Sequence, residues 1–166
     1  IMECVRVERI EIEGDVKANL AGASAGADDG VLIIAGGGSI GYYSDGEREF
    51  VAGGYGHILG DEGSAYWIGL QALKAGIRHS ELRGPKTRLH ERILQHLRES
   101  SYWGVKKQIH ADKMQRNDIA ALSPLVEQAA DEGDVVAQSL LRQAGAELGQ
   151  LAVSVLKQAS QAAGAH

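Results

Sequence analysis

Glycine is concentrated in one part of this chain. Ten of its 22 glycines lie between residues 36 and 63, whereas the whole chain has only two prolines. Because glycine lacks a Cβ, it allows tight turns and lets the backbone approach a ligand closely. The concentration therefore favours several loops that converge on a bound molecule. The alternative is a set of ordinary hairpin turns.

Composition excludes several classes of protein. The 166 residues are enough for one domain with a hydrophobic core. The 17 Lys and Arg against 22 Asp and Glu argue against general binding of nucleic acid or anionic membranes, since both need clustered basic residues. The single cysteine, Cys4, excludes an internal disulfide, and no apolar run approaches the roughly 20 residues that span a bilayer. We expect a cytoplasmic protein that binds neither nucleic acid nor membrane.

The order of apolar patterns at the start of the chain predicts an α/β fold. Residues 4–12 alternate in polarity as a strand does, and Asp15 is placed to cap a helix that ends near residue 25. Residues 31–35 form a continuous apolar run, which is typical of a strand buried on both faces. This order is a β-α-β unit. Two further strands, residues 39–44 and 48–52, are joined by the sequence SDGE, a strong hairpin signal.

After the hairpin the apolar spacing becomes helical. A helix is predicted from Glu62 to about Gly76, another after a cap at Thr87, and another over residues 118–130. The last pattern, residues 134–159, predicts an amphipathic helix of unusual length. Its apolar stripe needs cover from the rest of the chain, from a partner or from a segment outside this sequence.

Four segments are predicted to meet at one edge of the sheet. A β-α-β crossover makes its two strands parallel and brings their carboxyl ends together, so that Asp15 and residues 36–39 share an edge. The hairpin returns residues 53–56 to that edge, and the helix start at residues 61–64 follows. Open α/β sheets tend to bind ligands at such an edge.

Residues 36–39, Gly-Gly-Gly-Ser, have the composition of a phosphate-binding loop, and we call them the glycine turn. Successive backbone N–H groups can donate to phosphate oxygens there, because no Cβ keeps the oxygens away. Three glycines also suit any tight turn, and the surrounding sequence is neither a Walker motif nor a dinucleotide fingerprint. The prediction that this turn binds phosphate therefore needs support from the neighbouring segments.

Carboxylates accompany the glycine turn. Asp15 follows a predicted strand, where it can take a proton from a substrate hydroxyl or simply cap the next helix. Asp61 and Glu62 lie in the sequence GGYGHILGDEGSAYW, residues 53–67, which we call the glycine run. Their oxygens can accept hydrogen bonds from sugar hydroxyls, although Asp61 alternatively caps the next helix. His57, Asp61 and Glu62 match no standard zinc spacing, so no protein-only metal site is predicted.

These segments resemble the N-acetylglucosamine kinase family, which belongs with the BadF/BadG/BcrA/BcrD-type ATPases in the superfamily of actin, hexokinase and the heat-shock chaperone ATPases. The resemblance rests on VLIIAGGGS at residues 31–39 and on the glycine run. It extends from about residue 5 to residue 156 and includes IAALSPLV at 119–126 and DEGD at 131–134. It implies an RNase H-like, actin-like ATPase fold, in which a mixed sheet with the β-α-β unit and β-hairpins precedes a mostly helical region.

The resemblance also implies an activity and assigns residues to it. The activity is ATP-dependent phosphorylation of the 6-hydroxyl of N-acetylglucosamine or a related amino sugar, with Mg²⁺ bridging the nucleotide phosphates. The binding partner that it implies is the amino-sugar substrate. Whether the protein forms a homodimer is left open. The catalytic base falls on Asp15. Phosphate binding falls on Gly36, Gly37, Gly38 and Ser39, and sugar binding on Gly54, Tyr55, Asp61 and Glu62, with His57 adjacent.

Three departures from the family pattern set further expectations. Gly37 stands where the family usually has a threonine whose hydroxyl contacts phosphate. No loop of the DGGGT type precedes Asp15, and no glycine segment that packs against adenine follows the last helix. We therefore expect residues 1–166 to be one partial domain of a sugar kinase, with the sheet and its loops in 1–60 and helices in 61–166.

Two other functions stay open. A BadF-type activator ATPase couples hydrolysis to electron transfer, but its iron–sulfur clusters need cysteine ligands and this chain has one cysteine. A non-catalytic fragment or sugar-binding module would keep the fold and its affinity for sugar without transferring phosphate.

Overall fold

The computed structural model describes residues 15–24 and 29–164. They form an α/β chain in which a small sheet precedes a series of helices. No helix in these ranges is long and apolar enough to cross a membrane. The elements in chain order are α1 (Asp15–Ala23), β1 (Asp29–Ala35), β2 (Ser39–Asp45), β3 (Glu49–Gly53), α2 (Ala65–Ser80), α3 (Leu89–His96), α4 (Tyr102–His110), α5 (Arg116–Ala120), α6 (Ser123–Asp131) and α7 (Val135–Ala163).

The three strands form an antiparallel sheet in the order β1-β2-β3. Ala35 pairs with Ser39 at one edge of this sheet, where the strands end, so the glycine turn joins β1 to β2 there. The predicted hairpin between β2 and β3 is confirmed, and its turn lies at the opposite edge. The predicted parallel partner of β1, residues 4–12, lies outside the described residues.

The prediction that β1 is buried on both faces is wrong for the described part of the molecule. Val31 is 39% exposed and Ala35 is also exposed, whereas residues 32–34 are partly buried. Among the described strands β1 is an edge strand that pairs with β2, and α1 and α7 pack against it. The continuous apolar run therefore forms a strand that the other described elements bury only in part.

Helix α7, 29 residues long, joins the sheet to the helical region. It packs against α2 and α6 and against all three strands, so the rest of the chain covers most of its apolar stripe. Leu151 lies directly over Gly41 and Gly53, where an added Cβ would come within 3.0 Å of its side chain. Two glycines of the concentrated region thus allow a helix to approach strands closely, a role that the sequence did not indicate.

The hydrophobic core lies between α2, α3, α6 and the beginning of α7. Its fully buried members include Leu89, Ile93, Leu122 and Val126. The prediction that α2 ends near Gly76 is wrong, since α2 continues to Ser80. Glycine is needed at that position because the Tyr102 hydroxyl packs against the α2 backbone where a Cβ would lie.

The predicted helix over residues 118–130 is two helices in the structure. α5 ends at Ala120, and α6 begins at Ser123 with Pro124 in its first turn. Proline lacks a backbone N–H and so is tolerated in the first turn of a helix but not in its interior. Pro124 therefore starts a new helix and does not continue α5.

Asp134 connects the starts of two helices. Its Oδ1 accepts hydrogen bonds from the N–H groups of Val136 and Ala137 and so caps α7. Its Oδ2 accepts from Thr87 Oγ1 at 2.9 Å and from Arg88 N at 2.6 Å, beside the first turn of α3. Burial opposes ionisation of Asp134, but these hydrogen bonds outweigh it and lower the pKa of the carboxyl group.

Replacement of Asp134 by alanine is expected to lower the free energy of unfolding by about 2–3 kcal/mol, because it removes a cap and leaves buried donors unpaired. Since the folded pKa lies below the unfolded value of about 3.9, this contribution is present above that value and is lost as the pH falls through the folded pKa. Urea unfolding of wild type and variant between neutral and acidic pH measures the difference.

The matched control for this prediction is Asp131→Ala, at the exposed last residue of α6. It should change the free energy of unfolding by no more than about 0.5 kcal/mol. A difference between wild type and Asp134→Ala that stays constant down to acidic pH would contradict the assigned role.

Candidate functional site

Three of the four predicted segments are held together by hydrogen bonds at Ser39. The Ser39 N–H donates to Asp61 Oδ1 at 3.2 Å, and Ser39 Oγ donates to the Glu62 carbonyl at 2.7 Å. The Gly54 N–H donates to the Ser39 carbonyl at 3.0 Å. The glycine turn thus contacts both the beginning of the glycine run and its carboxylate pair.

Asp61 is the buried centre of this cluster, with only 4% of its surface exposed. Its φ of 63° lies in the left-handed region, which aspartate tolerates better than most residues because its short side chain can bond locally. The alternative interpretation, in which Asp61 caps the next helix, is wrong. Ser64 caps α2 by accepting a hydrogen bond from the Trp67 N–H at 3.2 Å.

Arg116, on α5, completes the cluster and was not among the predicted site residues. Its Nη2 donates to Asp61 Oδ2 at 2.6 Å and to the Gly37 carbonyl at 2.7 Å. Its guanidinium carbon lies 5.9 Å from the centre of the Tyr66 ring, and His57 meets the same ring edge-on at 5.1 Å. Arg116 is 55 positions from Asp61, and no local pattern in the sequence indicates that contact.

The glycine turn has fewer free donors than its sequence suggests. The Gly36 N–H donates to the Gly38 carbonyl at 2.9 Å, and the Ser39 N–H is bound by Asp61. The N–H groups of Gly37 and Gly38 donate to no group in the described part of the chain. Of the four backbone donors predicted for phosphate, these two are therefore available to a ligand.

The predicted sugar-binding residues differ in their accessibility. Tyr55 is 74% exposed, and Glu62 is also exposed, so both side chains are open to a solute. Gly54 has a φ of 77°, and a Cβ there would lie 2.9 Å from Ile40. Asp61 is buried and already holds Ser39 and Arg116, although a carboxylate has about four acceptor positions and two of them remain.

Asp15 does not lie beside the glycine turn or the glycine run. It is the exposed first residue of α1, and the contacts of α1 lie at the opposite edge of the sheet from the glycine turn. Lys17 pairs with Glu49 at 2.7 Å, and Leu20 lies beside Gly30. Both partners are near the turn that joins β2 to β3. The predicted strand that would orient α1 lies outside the described residues.

A separate cavity of about 620 Å³ lies between α2, α3 and α4. Apolar side chains such as Leu73, Leu94 and Val105 form most of its wall, and no predicted site residue lines it. Tyr102 is part of the wall, and burial raises the pKa of its hydroxyl to about 12. Within residues 15–24 and 29–164, no group of three metal-ligating side chains could hold a metal ion.

Residues 2–164 match the BadF/BadG/BcrA/BcrD ATPase family, which is nearly the whole chain. The chain belongs to this family. The family expected from the glycine turn and the glycine run is thereby confirmed.

Two named kinases are similar to this chain. The N-acetylmuramic acid/N-acetylglucosamine kinase of Clostridium acetobutylicum is 37% identical over 141 residues, which cover 84% of this chain and 46% of that protein. The N-acetyl-D-glucosamine kinase of Dictyostelium discoideum is 33% identical over 149 residues, which cover 88% and 46%. The chain thus spans about half the length of these relatives.

A crystal structure is also similar to this member of the BadF/BadG/BcrA/BcrD ATPase family. It is that of a candidate N-acetylglucosamine kinase from Chromobacterium violaceum, with a TM-score of 0.70 and 28% sequence identity. The similarity covers 86% of this chain and 47% of that one. The structural match therefore covers about the same share of this chain and of its relative as the sequence matches do.

Gly38 should be the least replaceable glycine of the turn. A Cβ at Gly38 would lie 2.6 Å from Asp61 Oδ1 and 2.9 Å from Arg116 Nη2, so Gly38→Ala must displace the ion pair. We expect it to lower the free energy of unfolding by about 2 kcal/mol, as overpacking does. Urea unfolding monitored by circular dichroism measures the change.

The matched control is Gly36→Ala, since an added Cβ at Gly36 meets no atom within 4 Å. This variant should stay within about 0.5 kcal/mol of wild type. Equal losses from the two substitutions would show that the turn is sensitive to any side chain and not to contact with Asp61.

Proposed function

We propose that this chain is part of a kinase that transfers the γ-phosphoryl group of ATP to the 6-hydroxyl of N-acetylglucosamine or a related amino sugar. The observation that carries the proposal is the hydrogen bond from Ser39 N to Asp61 Oδ1 at 3.2 Å. It joins a turn with free backbone donors to a glycine run with exposed Tyr55 and Glu62. The names of the two relatives support an amino sugar as the acceptor.

In this reaction the 6-hydroxyl oxygen of the sugar forms a bond to the γ-phosphorus, and the bond from that phosphorus to the β-phosphate oxygen breaks. The products are the sugar 6-phosphate and ADP. The N–H groups of Gly37 and Gly38 hold phosphoryl oxygens, and Tyr55, Glu62 and the remaining acceptor positions of Asp61 orient the sugar. Positioning and charge stabilisation supply most of the catalysis in phosphoryl transfer.

Asp15 is proposed as the base that accepts the proton of the 6-hydroxyl. Its support is the resemblance of Gly14-Asp15-Val16 to the segment that carries the family's catalytic aspartate. Because the described contacts of α1 are at the other edge of the sheet, this role requires α1 to lie over the glycine turn when both substrates are bound.

Mg²⁺ would neutralise charge on the nucleotide phosphates. Kinase sites hold Mg²⁺ through one or two carboxylates together with phosphate oxygens, so a cluster of protein ligands is not needed. Glu62 is exposed and its main-chain carbonyl is bonded to Ser39 of the glycine turn, so its carboxylate is the one that would contribute such a ligand.

The proposed architecture is the RNase H-like, actin-like ATPase fold, with residues 1–166 as one partial domain. The α/β order and the similarity to the Chromobacterium violaceum structure support it. A sugar-binding module without catalysis is a second candidate, favoured by the described contacts of α1, which lie at the opposite edge of the sheet from the glycine turn.

A kinase assay of the chain with ATP, Mg²⁺ and N-acetylglucosamine tests the function. We expect formation of ADP and sugar 6-phosphate, followed by ³¹P NMR, and no phosphorylation of 6-deoxy-N-acetylglucosamine. Asp15→Asn should lower kcat by about a hundredfold to ten-thousandfold, as the loss of a general base does. Asp131→Asn, exposed on α6, is the control and should leave kcat unchanged.

Other outcomes of this assay identify the alternatives. ATP hydrolysis that does not depend on sugar would favour an activator ATPase. Sugar binding by calorimetry without turnover would favour the binding module. Full activity of Asp15→Asn would remove that residue from the mechanism.

Gly37→Thr is expected to strengthen nucleotide binding. A Cβ at Gly37 would meet nothing closer than Arg116 Nη1 at 4.0 Å, so a side chain fits there. The added hydroxyl would donate to a phosphate oxygen and should lower the KM for ATP by about tenfold, the usual value of a hydrogen bond to a charged group. Gly37→Val has the same shape without the hydroxyl and should show no such gain. An equal change in both variants would contradict the prediction.

A further inference from the structure

Two carbonyl groups of the glycine turn accept hydrogen bonds from residues of the helical region. The Gly36 carbonyl accepts a hydrogen bond from the Ala65 N–H at 2.9 Å, at the start of α2. The Gly37 carbonyl accepts from Arg116 Nη2 at 2.7 Å. Each bond fixes the orientation of one peptide group, because the peptide is planar.

In a trans peptide the carbonyl of one residue and the N–H of the next point in opposite directions. The bond from Ala65 therefore directs the Gly37 N–H away from α2. The bond from Arg116 directs the Gly38 N–H away from Arg116. These are the same two N–H groups that have no acceptor in the described structure.

Arg116 itself is held firmly in place. Asp61 Oδ2 lies 2.6 Å from its Nη2, and the side chain of Asp61 is only 5% exposed. The Nε of Arg116 is buried without a hydrogen-bond partner, which costs free energy relative to a shorter or apolar side chain. Nη2 carries two N–H groups and donates to both the Asp61 carboxylate and the Gly37 carbonyl, so a single nitrogen satisfies the two acceptors.

We propose that Arg116 is a positioning residue for the nucleotide phosphates. It acts through the Gly37 carbonyl, which it holds so that the Gly38 N–H faces the phosphoryl group. This role rests on the proposed function, because it assumes that the glycine turn binds nucleotide phosphate. Without Arg116 the peptide between two glycines rotates easily, and its carbonyl oxygen would then repel the phosphate for part of the time.

An NMR titration of the ¹⁵N-labelled chain with ATP and Mg²⁺ tests the proposal. In wild type the amide resonances of Gly37 and Gly38 should shift, while those of Gly46 and Gly133, in distant turns, should not. Arg116→Ala should lose about tenfold in affinity for ATP, the size expected for one misdirected hydrogen bond to a charged group. The exposed Arg142, on α7, provides the control variant Arg142→Ala, which should bind as wild type does.

Two further measurements separate positioning from general stability. Arg116→Lys keeps a positive charge beside buried Asp61 but lacks the planar guanidinium that fixes the directions of the two N–H groups of Nη2, so it should fold and still bind ATP more weakly than wild type. Methylguanidinium added to Arg116→Ala should restore the Gly38 amide shift and part of the affinity. In the kinase assay the KM for ATP should rise while the KM for sugar stays within about twofold.

The outcomes distinguish this inference from the proposed function. If ATP shifts no resonance of the glycine turn in the wild-type chain, the proposed function fails at this turn. If ATP shifts Gly37 and Gly38 in wild type and folded Arg116→Ala and Arg116→Lys bind it equally well, the function stands and the role of Arg116 is overturned.

Discussion

Helix α7 lies close to the sheet because Gly41 and Gly53 present only backbone to Leu151. The same helix meets the glycine run at Gly63, where a Cβ would lie 2.6 Å from the Ala144 carbonyl. Dense packing of this kind leaves no space for a methyl group, so the three glycines and the helix determine one another's positions. The sheet, the glycine run and the helical core therefore all pack against α7.

The second constraint is the burial of Asp61. A carboxylate that is 4% exposed must be compensated, and the available partners are the Ser39 N–H and the Arg116 guanidinium. Because these partners belong to the sheet and to α5, compensation of one charge forces three separate segments into contact. The ion pair is thus weak evidence for stability but strong evidence for a defined arrangement at this edge of the sheet.

Local chemistry explains what the sequence predicted well. The hairpin, the start of α7 at Asp134 and the family itself follow from residues that are neighbours in the chain. The end of α2 could not be predicted, because Gly76 serves a contact with Tyr102 rather than a helix end. Arg116 was missed for the same reason: its partner lies 55 positions away, and nothing near it in the sequence encodes that distance.

The hydrogen bonds to the Gly36 and Gly37 carbonyls also determine whether the entropy of ordering the glycine turn is lost on folding or on ligand binding. A flexible glycine loop would have to be ordered each time a ligand arrived, at the expense of affinity. Here the Gly36 and Gly37 carbonyls are already bound to Ala65 and Arg116, so that cost falls on folding and is not repeated at each encounter. Under the proposed function, folding free energy and affinity for nucleotide are therefore linked at this turn, and selection on either one acts on both.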